Sequence, residues 1–233
     1  MSSARPTRRP GGADLVPTLP GRFHAVVFDL DGLLLDTEPG WHHAEAQLLR
    51  RHGAVYTDAD ETATIGWSVE ATVARYAARL GLEDSAIPRL SAELVDLAQH
   101  EYSQEIAPRP GAKELVGQLR GMVPLGIASN TPRSLVLVAL GSTGLVDSFG
   151  AIISAEDVDR PKPAPDVYLE ACRRLGVEPS AAIGLEDSTL GIAAAKAAGL
   201  TVIAVPQWPG VDVSQADHVL MSLEELLVRS PGG

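Results

Sequence analysis

The chain of 233 residues contains one cysteine, Cys172. A single cysteine excludes a disulfide framework within the chain, and this fits a protein of the reducing cytoplasm. In the segment around it, Tyr168, Cys172 and Leu175 fall on one face of a helix. That spacing predicts a core cysteine, not a nucleophile or a metal ligand.

Long apolar runs are also missing. No segment has the eighteen or so uninterrupted apolar residues of a membrane span, and the amino terminus lacks the apolar core of a signal peptide. We therefore expect a soluble, cytoplasmic protein without a membrane partner, as a monomer or weak dimer. Hydrophobic residues still make up 45% of the chain, which is enough for a full core.

Positive charge is scarce. Lysines and arginines number 19 against 30 aspartates and glutamates, so the formal net charge is -11. This balance argues against nucleic acid as the main partner, because no basic run offsets it beyond the first residues. If the substrate is an anion, local groups must attract it.

The second half of the chain alternates strand patterns with helix patterns. This alternation predicts a parallel sheet with right-handed crossovers, and hence an α/β fold. The predicted strands are 25–28, 124–128, 151–154, 182–185, 201–205 and a short edge at 217–221. Helices are predicted to start near Pro132, Pro165 and Thr189, and a last helix at Ser222, with a capping box completed by Glu225.

Residues 37–109, between the first strand and the alternating part, show helix patterns and no strand. Helices are predicted from Pro39 to Gly53, from Ser68 to Gly81, and over a stripe of Leu90, Leu94, Leu97 and Tyr102. Prolines flank a glycine at 108–111, which predicts a linker. We infer a disordered tail at 1–21, rich in Pro, Gly, Arg and Ser, a core of 22–36 and 110–233, and a helical insert of 37–109.

Asp29 and Asp31 follow the apolar run at 25–28, two residues apart. Side chains in a strand repeat every two residues, so both acids are expected to point the same way. Two crowded anions at the carboxyl end of a strand need a cation or a proton between them, and open α/β sheets bind ligands at that end. A metal and phosphate site is the prediction; a solvated strand end before a glycine turn is the alternative.

Three later segments place polar groups at predicted strand ends. Ser129 and Asn130 follow the second strand, Lys162 lies between two prolines, and Glu186 and Asp187 follow the fourth strand. Taken singly, the first segment is typical of a helix cap, the second of a solvated loop and the third of a helix that begins with acidic residues. Their order at successive strand ends favours a single site. Because neighbours in a strand face opposite ways, we expect Asp187 to ligate a metal directly, with Glu186 behind it.

The order Asp29-Leu30-Asp31-Gly32, Ser129-Asn130, Lys162-Pro163 and Glu186-Asp187 resembles the haloacid-dehalogenase-like superfamily, over about residues 23–227. Within it, the chain is similar to the phosphatases and sugar-phosphate mutases that carry a small helical cap. The resemblance implies a Rossmann-like core with the cap at 37–109. It also implies that Asp29 is the nucleophile, and that Asp31 protonates the leaving oxygen and later activates water.

The resemblance further implies Mg²⁺ as cofactor. A phosphate monoester dianion resists attack by a carboxylate, so a cation must neutralise charge between them. Magnesium takes about six oxygens and keeps several waters, which fits Asp29, the Asp31 carbonyl and Asp187, with Glu186 behind them. Lys162 would hold the phosphoryl oxygens as a point charge. Ser129 and Asn130 would donate hydrogen bonds to them.

The function predicted in this way is a phosphatase that acts on a small phosphorylated metabolite through an aspartyl-phosphate. Asp31 excludes a dehalogenase, whose halide leaving group needs no proton, and the absence of a lysine from 37–109 excludes a phosphonatase. A mutase like β-phosphoglucomutase is the main alternative. Such mutases carry a histidine and an arginine where this chain has Trp41 and Val69, although His42 is one place away and Arg75 or Arg79 could substitute.

A second alternative is a non-enzymatic receiver, which also combines acids, a lysine and a phosphorylatable aspartate on a Rossmann-like sheet. Its first strand is not followed by a large insert, whereas this chain has about seventy residues there. The substrate stays open among sugar phosphates, phosphoglycolate and nucleotide monophosphates. Gly66 and Trp67, in the insert, are predicted to contact the leaving group; packing between helices is the other interpretation of Trp67.

Overall fold

The computed structural model describes residues 19–103 and 106–228. The predicted disordered tail, residues 1–21, lies outside this part except for its last three residues. No helix of the described part combines the length and the hydropathy needed to cross a lipid bilayer.

Six parallel strands form one sheet in the order β3-β2-β1-β4-β5-β6. Their bounds are Ala25–Phe28 (β1), Leu125–Ala128 (β2), Ala151–Ile153 (β3), Ala182–Glu186 (β4), Thr201–Ala204 (β5) and His218–Val219 (β6). Every residue of β1 and β4 is buried, because helices cover both faces of the sheet. The predicted α/β fold with a Rossmann-like parallel sheet is confirmed.

Eight α-helices flank or precede these strands in the described residues. Their bounds are Glu38–Arg51 (α1), Asp58–Ala63 (α2), Val69–Arg79 (α3), Ile87–Tyr102 (α4), Ala112–Leu119 (α5), Arg133–Thr143 (α6), Asp166–Leu175 (α7) and Thr189–Ala197 (α8). Predicted helix starts agree: Ser68 caps α3 by accepting a hydrogen bond from the Ala71 N–H at 3.3 Å. The predicted stripe of α4 is buried.

Two helices, α2 and α5, were absent from the sequence prediction. In α2 only Asp60 is buried, so the sequence has no apolar stripe that would predict this helix. A capping box between Thr57 and Asp60 stabilises its start. The second, α5, starts directly after Gly111, a residue with φ of +81°. The predicted linker at 108–111 therefore leads directly into a helix. Gly111, the glycine that suggested a break, is the N-cap residue of α5.

The predicted helix start at Ser222 is confirmed, since Ser222 is the N-cap of a helical turn, whereas the predicted capping box with Glu225 is wrong. A single 3-10 turn, Leu223–Leu226, takes the place of the expected α-helix. Ser222 Oγ accepts from the Glu224 N–H at 3.1 Å, and Glu225 Oε1 accepts from the Met221 N–H at 2.7 Å, so the reciprocal box does not form. The tighter turn brings the amide two residues on, not three, within reach of the serine.

The two faces of the sheet carry separate apolar clusters. Val26 and Phe28 lie in one cluster with buried residues of α1, α3, α4, α5 and α6, and Ala25 and Val27 lie in the other with α7 and α8. Cys172 is buried in the second cluster, as predicted. Helices α1 to α4 thus share a core with the sheet, and the division at 36/37 and 109/110 stays a prediction.

Candidate active site

Asp29, Lys162 and Glu186 meet at the carboxyl edge of the sheet. Strands β1 and β4 are neighbours in the register Phe28 to Leu185, so the next residues of the two chain segments, Asp29 and Glu186, lie side by side. Lys162 Nζ lies 2.5 Å from Asp29 Oδ1 and 2.6 Å from Glu186 Oε1, and all three residues are buried. The sequence prediction that these segments converge is met by this geometry.

Asn130 fixes the position of Lys162. Its side-chain Oδ1 accepts from the Lys162 N–H at 2.8 Å, and its Nδ2 donates to the Lys162 carbonyl at 3.2 Å and to the Gly66 carbonyl at 2.8 Å. The amide therefore links the core to the insert. Its predicted hydrogen bond to a phosphate stays a prediction.

Glu186 is saturated with hydrogen bonds. Its Oε1 accepts from Lys162 and from the Tyr168 hydroxyl at 2.7 Å, and its Oε2 accepts from the Asp187 and Ser188 N–H groups at 3.1 and 3.3 Å. On α8, a Cβ at Gly191 would overlap this carboxylate, so the helix start is shaped to it. From the sequence, Tyr168 was predicted only to be a core residue. Helical periodicity shows which face of the helix a residue lies on, but it does not show what its hydroxyl group binds.

Asp29, Glu186 and Asp187 form a buried acidic group in which one carboxylate oxygen from each lies within 4.8 Å of the others. Asp187 Oδ2 is buried and has no hydrogen-bond partner in the described part of the chain. A Cβ on Gly32 would overlap that same oxygen, and Gly32, with φ of +81°, lies in a left-handed turn. An unpartnered carboxylate oxygen in a cradle kept open by glycine fits a hard divalent cation.

The charges of this group are unbalanced. Burial, and then the neighbouring carboxylates, raise the pKa of Asp29 and of Asp187 well above the usual range. Burial lowers the pKa of Lys162, but the Asp29 and Glu186 carboxylates outweigh it and raise that pKa. Three carboxylates against one ammonium group leave an excess of negative charge that a cation would neutralise.

Asp31 lies apart from this acidic group. Its Oδ1 accepts from the Thr37 and Tyr102 hydroxyls at 2.7 and 3.0 Å, and its Oδ2 accepts from the Thr131 and Ser129 hydroxyls at 2.8 and 3.0 Å. Strand β1 ends at Phe28, so the two-residue repeat of a strand does not explain the direction of the two aspartates. Both still line one cleft.

That cleft, of about 50 Å³, lies between the insert and the carboxyl edge of the sheet. The insert segment at Gly66 closes on the core: Gly66 accepts from Asn130, and a Cβ there would lie 2.8 Å from Ser188 Oγ. Trp67 lines the cleft and is 38% exposed, so it is not a core residue between helices. Its predicted contact with a leaving group stays a prediction.

Two carboxyls of α1, Glu38 and Glu45, also line the cleft, and sequence reasoning missed both. Burial raises the pKa of Glu38 to about 8 and that of Glu45 to about 7. Glu45 Oε2 accepts from the Tyr76 hydroxyl at 2.6 Å. The signal available was their spacing: the apolar Trp41 lies at i+3 from Glu38 and i−4 from Glu45, and residues at this spacing share a helix face.

Among the residues that the structure describes, no arginine lines the cleft. Arg79 donates to Asp60 at 2.8 Å and to the Val55 carbonyl at 2.5 Å, and Arg75 is exposed. The suggestion that one of them replaces the missing mutase arginine therefore finds no support in this arrangement. His42 does line the cleft, and burial lowers its pKa.

Comparison with known proteins gives a consistent result. A family model described as haloacid dehalogenase-like hydrolase matches residues 26–205. Validoxylamine A 7'-phosphate phosphatase of Streptomyces hygroscopicus subsp. limoneus is 34% identical over 88% of this chain and 96% of its own length. Hexitol phosphatase B of Escherichia coli (strain K12) is 33% identical over 90% and 97%. The crystal structure of CbbY from Rhodobacter sphaeroides in complex with phosphate has a TM-score of 0.74 at 29% identity, covering 88% and 96%.

The raised pKa of Glu45 predicts a pH-dependent effect on stability. As the pH rises above 4.5, the unfolded state loses this proton first, so the folded state is progressively destabilised until the pH passes the folded value of about 7. Glu45→Gln removes this loss. In urea unfolding, its free energy of unfolding relative to wild type should rise by about 3 kcal/mol between pH 4.5 and pH 8.

Glu83→Gln, which removes an exposed carboxyl from the same insert, is the matched control and should follow the wild-type pH profile. A stability difference between Glu45→Gln and wild type that stays constant over this pH range would contradict the assignment.

Proposed function

The chain belongs to the haloacid dehalogenase-like hydrolase family and is a phosphoric monoester hydrolase, and within that class we propose that it hydrolyses a sugar phosphate or a similar small monophosphate with Mg²⁺ and through an aspartyl-phosphate on Asp29. The observation that carries the proposal is the buried group of Asp29, Lys162, Glu186 and Asp187 at one edge of the sheet. Membership of this family argues against the second alternative, a non-enzymatic receiver.

Asp29 is the proposed nucleophile because its carboxylate lines the cleft and lies against Lys162. One of its oxygens forms a bond to phosphorus while the bond from phosphorus to the leaving oxygen breaks. Water then attacks phosphorus, releasing phosphate and restoring the carboxylate. Two displacements replace one that water alone performs poorly.

Asp31 is the proposed acid and base. It gives its proton to the leaving oxygen in the first step and takes a proton from the attacking water in the second. Four neutral hydroxyls hold its two oxygens, two from the loop after β2 and two from the insert side. These donors stabilise the carboxylate, as the second step requires, and they fix its direction toward the cleft.

Asp29, Asp187 and the Asp31 carbonyl are the proposed Mg²⁺ ligands. The unpartnered Asp187 Oδ2 and the excess of three carboxylates over one ammonium group support this set. Glu186, whose oxygens are filled by Lys162, Tyr168 and backbone N–H groups, would orient its neighbours. When bound, Mg²⁺ neutralises charge between the nucleophile and the phosphate dianion.

The cleft favours hydrolysis over a mutase reaction. A mutase must hold a second phosphate on the insert side, where the described lining residues include Glu38 and Glu45 and no arginine or lysine. A leaving group with its own anion, such as the carboxylate of phosphoglycolate, would likewise meet no arginine or lysine from these residues. A neutral, hydroxyl-bearing leaving group is the best fit, and the relatives named for a hexitol and for validoxylamine A support a substrate of that kind.

Asp29→Asn tests the nucleophile. The amide is a poor nucleophile and a poorer metal ligand, so release of phosphate from an aryl phosphate should fall at least about a thousandfold while the thermal midpoint stays near that of wild type. Asp36→Asn makes the same chemical change outside the cleft and serves as control. Activity of Asp29→Asn within tenfold of wild type would reject the assignment.

Metal removal tests the cofactor. Chelation by EDTA should abolish activity, and Mg²⁺ should restore it, whereas Ca²⁺, with its larger and looser shell, should not. Tyr168→Phe removes one hydrogen bond to Glu186 and should raise the Mg²⁺ concentration for half-maximal activity at least about tenfold. Full activity after exhaustive chelation would exclude the metal role.

Phosphatase and mutase are separated by one incubation. With β-glucose 1-phosphate, a catalytic amount of glucose 1,6-bisphosphate and Mg²⁺, free phosphate should appear faster than glucose 6-phosphate, because no arginine or lysine among the described residues of the insert lines the cleft. Loss of one charge-assisted contact weakens binding by roughly ten- to a hundredfold. Faster formation of glucose 6-phosphate would establish the mutase instead.

A further inference from the structure

A second cavity, of about 340 Å³, adjoins the cleft and has no role in the chemistry proposed above. Its walls come from the insert, from the start of α8 and from the loop after β5, which contributes Trp208 to Val211. Ile65 and Trp67 line both the cleft and this cavity. A group attached to a substrate in the cleft therefore has a space next to it.

Two tryptophans line this cavity, Trp67 from the insert and Trp208 from the core. The Trp208 indole nitrogen is buried and has no hydrogen-bond partner among the described residues. Trp208 therefore contributes its ring, and not its N–H, to the wall of the cavity. The Trp208 ring also contacts His42, with ring centroids 6.1 Å apart, and His42 lines the cleft.

Among the described residues, the lining of the cavity contains no charged side chain, whereas the cleft beside it is rich in carboxyls. Thr62 and Thr189 add hydroxyl groups to the two tryptophans. An anionic group would therefore meet no cation from these residues. Aromatic faces combined with a few neutral polar groups suit a ring that has both C–H faces and hydroxyls.

We infer that this cavity binds a neutral polyhydroxylated ring attached to the phosphorylated unit, so that the preferred substrate is a monophosphate with a leaving group of disaccharide size. The inference rests on the proposed phosphatase function and extends it. The C–H faces of the ring pack against the two tryptophans, and its hydroxyls contact the threonine side chains of the lining.

The test compares trehalose 6-phosphate, a neutral disaccharide monophosphate, with glucose 6-phosphate, which lacks the second ring. Wild type should have a KM about tenfold lower for the disaccharide. Trp208→Ala removes one aromatic wall of the cavity, and it should raise the disaccharide KM about three- to tenfold while leaving that for glucose 6-phosphate unchanged. Gln207→Ala, next to it but outside the cavity lining, is the matched control and should leave both KM values unchanged.

Thr62→Trp provides a second variant, since Thr62 is exposed and tolerates a larger side chain. By filling the cavity it should raise the disaccharide KM more than about tenfold and spare glucose 6-phosphate. Binding without turnover is followed by the tryptophan fluorescence of Asp29→Asn on addition of trehalose 6-phosphate; its change should saturate at lower concentration than with glucose 6-phosphate.

Failure of this inference is distinguishable from failure of the proposed function. If wild type releases phosphate from neither sugar phosphate nor an aryl phosphate, the phosphatase proposal fails. If wild type hydrolyses glucose 6-phosphate but shows no lower KM for the disaccharide, or if both cavity variants leave the ratio of the two KM values unchanged, the cavity is not a substrate site.

Discussion

The contact of Lys162 with Asp29 and Glu186 is the interaction on which the rest of the site depends. An ammonium group and carboxylates this deeply buried are stable only when they are paired and hydrogen-bonded. The fold meets that requirement from three directions: Asn130 holds the lysine backbone, Tyr168 donates to Glu186, and the sheet register sets Asp29 beside β4. One ammonium group still cannot balance three carboxylates, and this imbalance is the reason for proposing a cation at this edge of the sheet.

Much of the sheet follows from the sequence, since uninterrupted apolar runs such as Ala25–Phe28 are typical of buried parallel strands. The convergence of the four polar segments was also predictable, because the carboxyl ends of parallel strands share one edge. Local patterns do not give the neighbours of each strand. Lys162 and Asp29 are 133 positions apart, and only the completed sheet shows which carboxylate oxygens share the ammonium group.

Side-chain partners were harder to predict than elements. Tyr168 satisfies every criterion for a core residue, and its hydroxyl function appears only when Glu186 is placed beside it. Glu38 and Glu45 look like ordinary solvated acids on an amphipathic helix until the rest of the fold covers that face, as Tyr76 of α3 does for Glu45. Helix α2 has no apolar stripe at all. In each case the missing information concerns tertiary contacts. The periodicity of apolar residues identifies the buried face of a helix, but it does not show which residues of other elements pack against that face.

Gly191 has a consequence for attempts to stabilise this protein. Replacing helical glycines by alanine is a common route to higher thermal stability, worth about 1 kcal/mol each where the methyl group has room. Gly117 in α5 and Gly141 in α6 have that room, since a Cβ at either meets no atom within 4 Å. At Gly191 the same change would push against the Glu186 carboxylate. The first turn of helix α8 must therefore keep a residue that lowers helix stability. Alanine substitutions intended to raise thermal stability belong at the other two positions.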